Sequence, residues 1–268
     1  MVKKLIKYDF ASYMRLLFPI QLVLIGIAAI NRIVQIFEDV SSEVYVTIFS
    51  SSIVLYVIAI FASLLLTVIV AIVRFYQGMY TNEGYLSHTL PVTPAQHIFS
   101  KLMVSILFML GTVLTIIVSL FIVSLGEMNI ELIKSAGYLF GRAYRVFQGN
   151  LILYIIEFVL MVFFGFVNTM LKLYFCITVG QLAQKKKVLL AVGVYFGIYV
   201  LKQILSTLII IFITLNYELM ERIGEWIADN TQAFYHITLC GSLLITLIIA
   251  SLYFFFTRLI MSRKLNLA

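Results

Sequence analysis

Residues 47–73 read TIFSSSIVLYVIAIFASLLLTVIVAIV, twenty-seven residues without one charge. An α-helix rises about 1.5 Å per residue, so about 20 apolar residues cross a hydrocarbon core of roughly 30 Å. This stretch therefore predicts a membrane-spanning helix. A barrel strand would be about ten residues of alternating polarity, a pattern the sequence does not follow. Outward from it, five more stretches meet the same length: 16–37, 102–125, 151–180, 188–215 and 237–260. The whole chain agrees. Its 268 residues are 63% hydrophobic and 12% charged, with a mean hydropathy of +1.08, whereas soluble domains are about half apolar and about a quarter charged. Three prolines and fourteen glycines also exclude a disordered or low-complexity chain. The expected fold is an all-α polytopic membrane protein: one transmembrane domain over residues 1–268 with six transmembrane helices.

The charged residues predict its orientation. With the N-terminus inside, Lys3, Lys4, Lys7, Arg15, Arg74, Lys101, Lys185, Lys186, Lys187, Arg258, Arg263 and Lys264 lie on the inner side, and only Lys134, Arg142, Arg145 and Arg222 on the outer side. The excess of inner Lys and Arg predicts a multi-pass protein of the cytoplasmic membrane with both termini cytoplasmic. The net charge of +7 is then a topological signal, and no basic groove with interleaved aromatics suggests nucleic acid. No small-residue cleavage site follows the first apolar run, so span one is expected to stay in the chain. Cys176 and Cys240 both sit in apolar runs and read as packed thiols.

Between the spans, residues 3–17 place Lys4, Lys7, Ala11 and Arg15 on one helical side and Ile6, Phe10, Tyr13 and Leu17 on the other. This predicts an amphipathic helix over residues 1–15, lying in the membrane interface before the chain turns at Pro19. Asp9 falls near its apolar face, with no partner evident. Residues 74–101, RFYQGMYTNEGYLSHTLPVTPAQHIFSK, form the longest inner connection. Thr93 followed by Pro94 and Gln96 predicts a capped helix start running into span three. Tyr76, Tyr80, Tyr85 and Leu86 give this loop an apolar surface, fit either to dock against a partner or to pack on its own helix ends. Residues 216–235 carry Leu219, Ile223, Trp226 and Ile227 at helical spacing and predict an outer cap.

The pattern E-G-Y-L-x-x-T-L-P-V-T at Glu83 to Thr93, with the six-span plan and the basic N-terminal helix, resembles ABC-2 type ABC transporter permeases, the membrane subunits of bacterial ABC exporters. The resemblance implies a coupling helix in this loop that seats in a cleft of a separate ABC ATPase subunit. Glu83, Gly84, Tyr85, Leu86, Thr89, Leu90, Pro91 and Thr93 would form or support that contact. It also implies a second permease subunit, identical or related, and a hydrophobic, peptide-like or lipid-like cargo, with antimicrobial-peptide resistance or immunity as one role. No cofactor would belong to this chain; ATP and Mg would sit on the partner.

The chain has no G-x-x-x-x-G-K-[ST] segment, so any ATP-driven step requires that partner. The positions of His88, His97 and His236 offer no metal-ligand spacing, and no nucleophile motif suggests an enzyme. Ionisable residues inside spans raise a functional path by default. Glu157 and Lys202 either line or gate such a path, singly or as an ion pair, or serve as a structural pair or snorkelling groups. Lys172 reads as an anchor at the inner end of span four. Gly193 and Gly197 form a G-x-x-x-G that suggests close packing inside the protein. An ion-coupled secondary transporter and a non-transporting scaffold remain as alternatives.

Overall fold

The computed structural model describes residues 2–37, 43–81, 83–84, 92–125, 134–135, 137–142, 144–145 and 150–263. Its principal helices are α1 (Val2–Ile36), α2 (Glu43–Tyr80), α3 (Pro94–Val123), α4 (Leu151–Gly180), α5 (Lys187–Leu215), α6 (Tyr217–Asp229) and α7 (Thr231–Arg263). No strand occurs among the described residues. Each apolar stretch falls on a long helix, and six helices are long and apolar enough to cross a membrane. The chain is a helical, multi-pass membrane protein, and it divides into two compact units, Met1–Arg142 and Ala143–Ala268.

In the first unit α1 packs most extensively on α3 and also on α2, which in turn packs on α3. Lipid tails are as apolar as leucine, so burial alone does not hold such helices together; small residues and interhelical hydrogen bonds do. The unit is built this way along its length. Tyr13 Oη lies 2.9 Å from Ser105 Oγ. Gln21 donates to Thr112 at 3.4 Å, and the Thr67 and Thr112 hydroxyls are 2.9 Å apart. Tyr56 Oη meets Ser119 Oγ at 2.8 Å, and Asn31 donates to Ser52 at 3.3 Å. These contacts make α1 and α3 parallel and α2 antiparallel to both. On α3 the buried small polar residues Ser105, Thr112 and Ser119 recur every seven residues, the period that keeps one face on its neighbours in a left-handed bundle. Thr112 is the node that joins all three helices. Thr112→Val is expected to lower stability by about 1–2 kcal/mol, near the upper end for an interhelical bond in a membrane, as read by thermal unfolding in detergent.

The N-terminal helix differs from the expectation of an interfacial segment bent at Pro19. Residues 2–36 form one helix with Pro19 inside it. Proline removes the hydrogen bond to the carbonyl four residues back and crowds that carbonyl, but the helix is held against its neighbours on both sides of that point by Tyr13 and Leu17 before it and Leu24 and Ala28 after it, all buried. At about 1.5 Å per residue, α1 and α2 are each more than 50 Å long, against a hydrocarbon core of roughly 30 Å. The surplus lies at the end where α1 begins, α2 finishes and α3 begins. That end is well packed: Tyr13, Phe75, Met79, His97 and Ile98 are all buried.

In the second unit α4 packs on α7 and on α5. Tyr154 near the start of α4 donates to the Gln232 carbonyl near the start of α7 at 2.9 Å, and Phe175 near its end meets Tyr253 with centroids 5.6 Å apart, so α4 and α7 are parallel. The turn from α4 into α5 uses Lys186 in the left-handed region, φ 58°, and Gly180 at the close approach. A Cβ on Gly180 would meet the Lys187 carbonyl and the Ala191 Cβ, each at 2.7 Å. The expected internal packing at Gly193 and Gly197 is not found: a Cβ at either position has nothing within 4 Å, and α5 buries none of its residues. Small residues permit close approach without requiring it. The cap segment is helix α6, and its exposed Glu218–Arg222 pair at 3.8 Å contributes little.

Candidate functional site

The best-organised polar cluster of the first unit lies where the 81–93 loop leaves and returns. Asp9, which had no evident partner in the sequence, accepts from Lys101 Nζ at 3.1 Å and from Ser100 Oγ at 3.0 Å. The pair is sheltered, with side chains 17% and 8% exposed for Asp9 and Lys101. Lys101 reaches Asp9 across Gly78 of α2, where a Cβ would collide with its Nζ. One charge pair thus ties the start of α1 to the start of α3 and requires a bare backbone on the end of α2. It answers why a charged residue sits near the apolar face of an amphipathic segment.

The loop is anchored at both ends by local chemistry. At its exit, Gly84 N donates to the Thr81 carbonyl at 2.7 Å, and Gly84 lies so close to the last turn of α2 that a Cβ would sit 2.5 and 2.6 Å from the carbonyl carbon and oxygen of Met79. Gly84→Ala must displace backbone, so a loss of about 1–3 kcal/mol is expected, measurable by thermal unfolding. At its return, the capping box is complete: Gln96 N donates to Thr93 Oγ1 at 3.4 Å and Thr93 N to Gln96 Oε1 at 3.0 Å, with Pro94 opening the helix. Of the residues assigned to partner contact, Gly84 and Thr93 are placed in this way, and Glu83 stands exposed beside Gly84. Tyr85, Leu86, Thr89, Leu90 and Pro91 lie outside the described residues.

The second unit holds a different cluster. Glu157 on α4 is not paired with Lys202; both of its carboxylate oxygens are 3.0 Å from His236 Nδ1 on α7, and Cys240, one turn further along α7, donates its thiol to Oε1 at 3.5 Å. Tyr154, one turn before Glu157, stacks on the His236 ring with centroids 4.0 Å apart and planes at 17°. Two parallel helices thus bring together a carboxylate, an imidazole, a thiol and a phenol ring. Lys202 stands exposed on α5, with no ion pair among the described residues. The reason lies in the packing: α4 meets α7 over one face and α5 over another. Lys172, in the last third of α4, has its Nζ 4.4 Å from the centre of the Tyr195 ring on α5, within cation–π range. Among the described residues no group of three or more His, Cys, Asp or Glu could hold a metal ion.

His236 and Cys240 were missed because their partner is 79 and 83 residues away in sequence. The available signal was their i, i+4 spacing on one helix together with a carboxylate inside another span. No protein-family model matches the chain, and neither the curated proteins nor the solved structures give a significant match.

Proposed function

We propose that this chain is the membrane-spanning permease subunit of an ATP-driven ABC exporter, with the loop around residues 83–93 as the contact for a separate ATPase subunit. The observation that carries this reading is the anchoring of that loop. It leaves α2 beside buried Met79 and re-enters at a capped helix start that lies two turns from the Asp9–Lys101 pair. A push on the loop would act on α1, α2 and α3 together, since all three meet at that pair, as a rigid lever for alternating access requires. In this reading both termini are cytoplasmic, two permease chains flank the path, ATP and Mg sit on the partner, and the cargo is hydrophobic, peptide-like or lipid-like.

A second reading, an ion-coupled carrier, draws support from the Glu157–His236 pair, because an acid and an imidazole inside apolar helices are the usual parts of a proton relay. Energisation separates the two. Everted vesicles carrying the chain and its ATPase partner should accumulate a fluorescent phospholipid or an amphipathic peptide on adding ATP and should be indifferent to an imposed proton gradient. Accumulation driven by the gradient without ATP would establish the carrier instead.

A further inference from the structure

The fold finds partners for Asp9, Tyr13, Gln21, Asn31, Arg32 and Gln35 along α1, yet it leaves four basic residues of the same helix exposed. Lys3, Lys4, Lys7 and Arg15 make no ion pair among the described residues. At about 100° per residue Lys4, Lys7 and Arg15 share the arc of α1 turned away from buried Tyr13 and Leu17, while Lys3 falls within about 40° of Leu17. Between that arc and the side of Phe10, whose ring centre lies 5.1 Å from that of Phe108 on α3, α1 carries a shallow, open groove lined by Phe10, Ala11, Met14, Arg15, Phe18 and Pro19. Its apolar ridge is open, Phe10, Met14 and Phe18 being 37%, 39% and 45% exposed.

We infer that this groove is a binding site for an anionic phospholipid of the leaflet surrounding the N-terminal end of α1. The order of residues along the helix matches the order of groups in such a lipid. Lys3, Lys4 and Lys7 lie at the headgroup end. Arg15 lies about 12 Å further along the helix and leans toward its N-terminus as helical side chains do, which carries its charge toward the headgroup end. Phe10, Met14 and Phe18 follow beneath and continue into exposed Leu22. From Lys7 to Leu22 is about 22 Å of helix, enough for a headgroup and one leaflet of a hydrocarbon core of roughly 30 Å. A protein partner is the poorer fit, because exposed basic side chains at one end followed by an uninterrupted apolar ridge match an anionic headgroup above acyl tails. The site stands whether or not the chain is a transporter subunit.

The test is lipid retention by the full chain purified from nanodiscs of mixed phosphatidylglycerol and phosphatidylcholine, read by native mass spectrometry. The chain should retain phosphatidylglycerol preferentially. Each basic residue near an anionic surface contributes a factor of about five, so K4Q/K7Q/R15Q should reduce that preference by on the order of a hundredfold. Met14→Trp, which fills the groove and leaves every charge in place, should also displace the lipid. K185Q/K186Q removes exposed charges of another basic cluster and should leave the preference intact. Equal retention of the two lipids by the unaltered chain, an equal loss in K185Q/K186Q, or no effect of Met14→Trp would each overturn the assignment.

Discussion

Lys101→Met is expected to lower the stability of the chain by about 3 kcal/mol, because it strands the Asp9 carboxylate in a sheltered site. Breaking a buried pair by removing one partner costs about 3–5 kcal/mol. The lower end applies here, since Ser100 still donates to Asp9 at 3.0 Å. The double variant D9N/K101M should return to within about 1 kcal/mol of the unaltered protein, because exchanging a buried pair for uncharged groups of similar size is often neutral. Methionine is flexible enough to lie over Gly78 as the lysine stem does. Thermal unfolding of the four proteins in detergent gives the coupling energy directly. A cost near that of an exposed surface pair, below about 0.5 kcal/mol, would mean that the pair does not join the helices.

His236→Phe is expected to cost about 2 kcal/mol for a related reason. The phenylalanine ring keeps the stack on Tyr154 but removes the Nδ1 contact 3.0 Å from both Glu157 oxygens. Glu157, whose side chain is 16% exposed, is left with the Cys240 thiol, and an under-paired carboxylate among apolar helices is expensive. E157L/H236F should recover most of the loss, since two apolar residues need no partners in lipid. The same positions separate the two transport readings. In an ATP-driven permease Glu157→Gln would alter stability and leave the ATP requirement unchanged; in an ion-coupled carrier it would abolish gradient-driven accumulation.

The spanning helices were legible because lipid leaves little choice: a backbone in hydrocarbon must satisfy its own hydrogen bonds, so length and apolarity suffice to mark a helix. The capping box at Thr93 was legible because its donors and acceptors lie within three residues. What sequence did not disclose was pairing at a distance. Asp9 and Lys101 are 92 residues apart, and nothing local to either marks the other. Pro19 was misread for the converse reason, because a local rule that favours a break was outweighed by packing at Tyr13, Leu17, Leu24 and Ala28. Glu157 stands out in the sequence as an ionisable residue inside a span, as does Lys202, but nothing in the sequence says which helix face meets which neighbour, so the pairing with His236 stays hidden. Ser105, Thr112 and Ser119 carried the register of the first unit in plain sight, as small polar residues at sevenfold spacing in an apolar run.

Whether a separate ATPase works through the 81–93 loop is tested most directly by isolation of the complex. The tagged full chain, purified in mild detergent, should bring with it a subunit that hydrolyses ATP, and Y85A/L86A/L90A should lose that subunit while the chain itself remains folded and monodisperse. Recovery of the intact chain without any ATP-hydrolysing partner, or retention of the partner with unchanged coupled hydrolysis in the triple variant, would contradict the account.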